Sequence, residues 1–217
     1  MRGVARAAIG AGLAVVLTGP ASAGDIVLPD REARLAAHAR LEALRRNLDA
    51  NPSATAVLRA WCREHGLAAS PDIRAVADRG AQKPLRPEDR LALGVQPGEA
   101  IGYRRVRLTC GERVLSEADN WYRPAELTPQ MVQTLDTTDT PFGVVVAPLK
   151  FQRRTLSSRL LFEPLAAPDA DAPMTVPSHV LEQRAVLFKP DGAPFSLVVE
   201  SYTAQILAGI GEASTSE

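Results

Sequence analysis

The sequence predicts an α+β fold, in which helices pack on one side of an antiparallel sheet. Apolar residues recur at helical spacing in the N-terminal part of the chain, and after Ala100 they alternate with polar residues at the strand period of two. The strand candidates are joined by hairpin turns or by helices, which is typical of an antiparallel sheet and not of a doubly wound one. We therefore expect one pocket between the sheet and its helices.

The composition argues against a partner that is recognised through overall charge. Of 217 residues, 25 are Lys or Arg and 25 are Asp or Glu, so the formal charges balance. A neutral chain has no global field that attracts nucleic acid or an anionic membrane surface, and we predict neither as a partner. Any ligand must be bound by local groups, and the oligomeric state stays open.

Residues 1–23 have the pattern of a secretory signal peptide. A cationic start is followed by an apolar run over 7–17 and by Ala21-Ser22-Ala23, a typical cleavage site. The run is too short for a helix that crosses a bilayer of about 30 Å, so no membrane span is expected. We predict that residues 24–217 form a single domain in the periplasm or outside the cell. A mis-assigned start would leave the protein in the cytoplasm.

Two amphipathic helices are predicted before the sheet. Asp30 is a suitable N-cap for the first, whose charged residues, Arg34 included, are expected to face solvent. Ser53 is a suitable N-cap for the second, which ends at Gly66. Their apolar stripes consist of Ala37, Leu41, Leu44 and Leu48 in the first helix, and of Ala54, Val57, Leu58, Trp61 and His65 in the second.

The strand that begins after Ala100 has two distinct faces. Val106 and Leu108 lie on one face with Cys110, and Arg105 and Arg107 lie on the other. A turn at 111–112 makes this strand the first half of a hairpin. The other predicted elements are strands over 73–77, 114–122, 144–146 and 156–162, helices over 87–94 and 127–135, a loop over 166–176, and a hairpin of 185–188 with 195–207.

Cys62 and Cys110 are the two cysteines of the chain. In an oxidising compartment they could form one disulfide. Because Cys62 falls in a predicted helix and Cys110 at a strand end, the sequence does not fix their geometry. Two buried free thiols are the alternative.

Arg105 is the first candidate for ligand binding. Its planar guanidinium is a two-pronged donor that matches a carboxylate, and Arg107 on the same face could serve instead. A cross-strand ion pair or a solvated sheet face is the alternative.

The segment Thr140-Pro141-Phe142-Gly143 is the second candidate. We interpret it as a tight connection into a strand, which leaves the backbone N–H groups of Phe142 and Gly143 free to bind an anion. A turn without function is the alternative.

Glu200 is the third candidate, because it lies in an apolar strand with Val198 and Tyr202 on its own face. A carboxylate in such surroundings needs a cation or a hydrogen-bond donor. A buried salt bridge with Arg105 or Arg107, without catalytic meaning, is the alternative.

In this order, residues 105–110, residues 140–143 and Glu200 resemble the ligand site of the chorismate lyase family, whose fold is shared by effector-binding domains of GntR-type regulators. The resemblance spans nearly all of residues 24–217. It implies that Arg105, Phe142 and Gly143 bind the carboxylate of a small aromatic acid, while Glu200 holds the ring hydroxyl and assists proton movement. It further implies conversion of chorismate to 4-hydroxybenzoate and pyruvate, without a metal or organic cofactor.

Asn120 departs from this family, since similar lyases carry an arginine at that position. Chorismate has two carboxylates and 4-hydroxybenzoate has one, so the loss of a cation favours a second interpretation. In it, the protein is a periplasmic binding protein for an aromatic acid, without turnover. A purely structural or partner-binding domain is a third.

Other chemistries have little support in the sequence. The three histidines, His38, His65 and His179, do not show metal-ligand spacing. Arg153, Arg154 and Arg159 are interpreted as a solvated basic edge, which could still collect an anionic ligand.

Overall fold

A computed structural model describes residues 26–166, 169 and 171–211. The predicted signal peptide lies outside the described residues. The helices are α1 (Arg31–Ala50), α2 (Ala54–Glu64), α3 (Pro87–Ala92), α4 (Pro129–Thr137) and α5 (Phe142–Val145). The strands are β1 (Val27–Leu28), β2 (Ile73–Asp78), β3 (Gly102–Cys110), β4 (Arg113–Tyr122), β5 (Gln152–Leu160), β6 (Met174–Thr175), β7 (His179–Phe188) and β8 (Pro194–Thr203).

Six of these strands form one antiparallel sheet in the order β2-β3-β4-β8-β7-β5, and β1 pairs with β6. The two predicted hairpins, β3–β4 and β7–β8, meet through the pairing of β4 with β8. Helices α1, α2, α4 and α5 contribute to the apolar clusters on one face, so the predicted α+β fold is confirmed. The short α3 covers part of the reverse face, where Leu93 packs near Trp121.

Side-chain caps begin the first two helices, as the sequence predicts. The N–H of Ala33 donates to Oδ1 of Asp30 at 2.9 Å, and the N–H of Ala56 donates to Oγ of Ser53 at 3.3 Å. Each bond satisfies one of the donors that a helix leaves without a partner in its first turn. The predicted stripes of α1 and α2 are buried, apart from His65, which ends α2 as its C-cap.

The prediction that Arg34 faces solvent is wrong. Its side chain is buried, and its Nε donates to the carbonyl of Pro164 at 2.7 Å. Local periodicity could not reveal this, because the covering segment is 130 residues away in sequence.

The segment at 144–146 is not a strand. The N–H groups of Val144 and Val145 both donate to the carbonyl of Pro141, at 3.0 and 3.2 Å, and close the short helix α5. Valine favours strands only weakly, and here the local turn takes precedence. Strand β5 also begins earlier than predicted, at Gln152, which brings Arg153 into the sheet.

Cys62 and Cys110 form a disulfide whose Cα atoms are 6.2 Å apart. The bond joins α2 to the end of β3, and both cysteines are fully buried. It therefore fixes α2 against the sheet. Within the described ranges, no helix combines the length and the apolarity needed to cross a membrane.

Replacing Cys62 and Cys110 with serine is expected to lower the free energy of unfolding by about 2–4 kcal/mol, because the disulfide closes a long loop in the unfolded chain. Urea denaturation measures this loss. Reduction of the wild type with dithiothreitol should give a similar loss, and it should not affect the double variant. A variant as stable as the oxidised wild type would contradict the prediction.

Candidate functional site

A cavity of about 50 Å³, counted as the space open to the centre of a water molecule, lies between the sheet and the first turns of α2 and α5. Its apolar lining comprises Ala54, Val106, Leu108, Ala118, Phe142, Phe151, Leu187 and Val198. Its polar and charged lining comprises Ser53, Thr55, Arg104, Asn120, Arg153 and Glu200, and Pro52 and Gly143 complete it. A single water molecule needs about 10–15 Å³ of such space, so the cavity has room for a few water molecules.

Arg104 is a buried cation in this cavity. It lies on the same face of β3 as Val106 and Leu108, and only 7% of it is exposed. Its Nη1 and Nη2 atoms donate to the carbonyls of Thr140 and Thr138, each at 2.9 Å, while its buried Nε has no hydrogen-bond partner. Burial lowers the pKa of Arg104.

No carboxylate forms a salt bridge with Arg104 in the part of the chain that the structure describes. Carbonyl oxygens accept its hydrogen bonds but do not neutralise its charge. A buried cation normally has a counter-ion, since the loss of hydration costs several kcal/mol. Asp136 and Asp139 attract Arg104 without contacting it, and these carboxylates already bind Tyr122 and Arg79. The positive charge at this end of the cavity therefore has no counter-ion in contact.

Arg153 and Glu200 are the other two charged residues of the cavity, and they form a buried ion pair. Nη2 of Arg153 lies 2.7 Å from Oε2 of Glu200, and the two side chains are 5% and 6% exposed. Burial lowers the pKa of Arg153, but the attraction of Glu200, together with the smaller contributions of Tyr202 and Asp49, raises it overall. Nε of Arg153 is buried without a hydrogen-bond partner, like that of Arg104.

Neighbouring polar groups fix this ion pair in place. The hydroxyl of Tyr202 donates to Oε2 of Glu200 at 3.3 Å, and Nη2 of Arg153 also donates to Oε1 of Gln183 at 3.2 Å. Gln183 in turn donates to Oδ1 of Asp49 in α1, at 2.9 Å. Within the described residues, the hydrogen bonds of the Glu200 side chain all end on Oε2, which leaves Oε1 as an acceptor.

The starts of α2 and α5 approach each other at the cavity. A Cβ on Gly143 would lie 3.5 Å from Oγ of Ser53 and 3.7 Å from Oγ1 of Thr55. The N–H groups of Phe142 and Gly143 precede the first N–H that bonds within α5, that of Val144. They have no acceptor among the described residues, and both residues line the cavity.

Asn120 contributes a neutral amide to the cavity. Its Oδ1 accepts a hydrogen bond from Oγ of Ser196 at 2.7 Å. Its Nδ2 donates to no described residue, so Asn120 can offer a ligand a hydrogen-bond donor.

The structure brings Phe142, Gly143 and Glu200 to one cavity but places Arg105 elsewhere. Arg105 lies on the reverse face and is paired with Glu117 and Asp119, each at 3.4 Å. The prediction that Arg105 shares a pocket with Glu200 is therefore wrong. The two faces of β3 were separated correctly, but the helices cover the face of Arg104 and Val106.

Arg153 is the site residue that the sequence interpretation missed. The sequence pattern points to Arg105 or Arg107 as the charge partner of Glu200 and to a solvated edge for Arg153. If the strand is taken to begin at residue 152, alternation places Arg153 and Thr155 on one face. This pattern is the signal that could have identified Arg153.

Among the residues that the structure describes, no group of three or more His, Cys, Asp or Glu side chains could hold a metal ion.

Replacing Glu200 with alanine is expected to lower the free energy of unfolding by about 3–5 kcal/mol, because Arg153 would remain buried without its counter-ion. Glu117→Ala is the control. It breaks an ion pair with Arg105 whose side chains are 32% and 40% exposed, and should change stability by about 0–1 kcal/mol. Urea denaturation of both variants measures the difference. Equal losses would show that burial of the Arg153–Glu200 pair does not matter.

Comparisons with known proteins add a family but no activity. No family model matches the chain. The effector domain of PhnF from Mycobacterium smegmatis has a TM-score of 0.45 and 15% identity, over 70% of this chain and 89% of that domain. The possible transcriptional regulator YydK from Bacillus subtilis has a TM-score of 0.38 and 17% identity, over 60% of this chain. This chain spans 58% of the length of YydK. Likenesses this weak carry no functional information.

The similarity in sequence to one curated protein is much stronger. The uncharacterized protein y4mC of Sinorhizobium fredii is 46% identical over 185 residues, which are 80% of this chain and 78% of y4mC. Identity of this extent shows common descent, and the chain belongs to the same family as y4mC.

Proposed function

We propose that this protein binds a small aromatic carboxylic acid in the cavity between its sheet and α2. The observation that carries the proposal is Arg104, a buried cation in the cavity without a carboxylate partner among the described residues. A guanidinium has five N–H donors, and Arg104 directs two hydrogen bonds to carbonyls. The remaining donors suit a carboxylate, whose charge would balance that of Arg104.

Neighbouring groups support this choice of ligand. Val106, Leu108 and Val198 give the cavity an apolar wall against which a flat ring can pack. The N–H groups of Phe142 and Gly143 retain the role of anion donors that the sequence predicted for them. Arg104 takes the role predicted for its neighbour Arg105.

Arg104→Met is expected to weaken binding of 4-hydroxybenzoate by about 2–5 kcal/mol, because the bound anion would lose its charged partner. The free energy of unfolding of the ligand-free protein should fall by less than this loss in binding free energy, because Arg104 has no ion pair to break. Arg105→Met is the matched control, since it removes an arginine from the same strand on the reverse face, and it should leave the affinity unchanged. Isothermal titration and thermal melting measure both quantities.

Loss of binding in Arg105→Met with full binding in Arg104→Met would refute the assignment of Arg104. Failure of the wild type to bind benzoate or any hydroxybenzoate would refute the proposal itself.

Conversion of chorismate to 4-hydroxybenzoate and pyruvate is the second candidate function. The observation that favours it concerns Oε1 of Glu200. This carboxylate oxygen accepts no hydrogen bond from a described residue, so it could assist proton movement. The ion pair with Arg153 and the neutral Asn120 argue for binding without turnover. The periplasmic location expected from residues 1–23 stays a prediction.

A pyruvate-release assay with chorismate separates the two functions. We expect 4-hydroxybenzoate to bind without measurable pyruvate release by the wild type. Pyruvate release that is lost in Glu200→Gln, while 4-hydroxybenzoate still binds, would instead support the lyase.

A further inference from the structure

The charged groups of the cavity leave one positive charge without a partner. Three charged side chains line it, namely Arg104, Arg153 and Glu200. Arg153 and Glu200 neutralise each other at 2.7 Å, and the charge of Arg104 remains. The other described residues that line the cavity are uncharged.

We infer that the Arg153–Glu200 pair restricts this cavity to ligands with one negative charge. The inference rests on the proposed binding of a carboxylic acid at Arg104. One carboxylate balances Arg104 and leaves the buried site neutral. A second carboxylate near Arg153 would also approach Glu200, and repulsion between like charges is strong where water is excluded.

The pair is held too firmly to open for a second anion. Both side chains are more than nine-tenths buried, and Oε2 of Glu200 accepts hydrogen bonds from Arg153 and Tyr202. Gln183 binds Arg153 and is anchored to Asp49 of α1. A dianion would have to displace Glu200 from this network and leave it buried without a cation, which is costly.

Asn120 strengthens the restriction, because its amide offers a hydrogen bond but no charge. Glu200 therefore acts as the specificity-determining residue. Its carboxylate pairs with Arg153, so the protein itself neutralises the second cation of the cavity.

Two ligands of nearly the same shape test the inference at neutral pH. Terephthalate has carboxylates at both ends of its ring, and 4-carbamoylbenzoate has an amide in place of one of them. The wild type should bind 4-carbamoylbenzoate at least about tenfold more tightly than terephthalate.

Glu200→Gln should reverse this preference, because the cavity would then contain two cations and no acid. Its amide can still accept a hydrogen bond from Arg153. The double variant Arg153→Gln, Glu200→Gln has one cation again and should prefer 4-carbamoylbenzoate, as the wild type does. Thermal melting of each variant without ligand shows that it is folded, and isothermal titration gives the affinities.

Equal affinity of the wild type for the two ligands would overturn the inference. A folded Glu200→Gln variant whose affinity for terephthalate does not increase would overturn it too. If Glu200→Gln does not fold, the comparison in the wild type decides by itself. If the wild type binds neither these ligands nor 4-hydroxybenzoate, the proposed function fails. Binding of 4-hydroxybenzoate together with equal affinity for the two test ligands overturns the restriction alone.

Discussion

The alternation of side chains along β3 is the constraint on which the site depends. Val106, Leu108 and Cys110 are buried on one face of this strand, and Cys110 is bound covalently to α2. Because successive side chains point to opposite faces, Arg104 must lie on the face that α2 covers. The same apolar packing that holds the layers together thus places a cation between them.

The burial of Arg104 also links the cavity to the segment before α5. Its guanidinium donates to the carbonyls of Thr138 and Thr140, and the chain then turns into the first residues of α5, Phe142 and Gly143. One side chain therefore orders the loop that supplies backbone donors to the cavity. A carboxylate bound by Arg104 would complete a polar cluster whose geometry exists before the ligand arrives, and such preorganisation favours affinity.

Much of the fold could be predicted from local signals, but the site could be predicted only in part. The caps Asp30 and Ser53 and the hairpin turns each act over a few residues, and the structure has them where the sequence indicates. Alternation separates the two faces of a strand, but it does not say which face the helices cover, and this made Arg105 the candidate in place of Arg104. The partner of Glu200 is 47 residues away, on a strand that begins earlier than the sequence predicts, so the pattern around Glu200 could not identify Arg153.

The rigidity of the cavity follows from where its groups are anchored. Arg104, Asn120, Arg153 and Glu200 all lie on strands of one sheet, in which β3, β4 and β8 each pair with two strands and the edge strand β5 pairs with β7. The opposite wall is the first turn of α2, whose later turn is attached to β3 through Cys62. A helix fixed to the sheet by a covalent bond leaves its N-terminal turn little freedom to move away from the strands. The charged groups of the cavity are thus anchored on a supported sheet, and we expect their fixed pairing, rather than movement of the walls, to determine what binds.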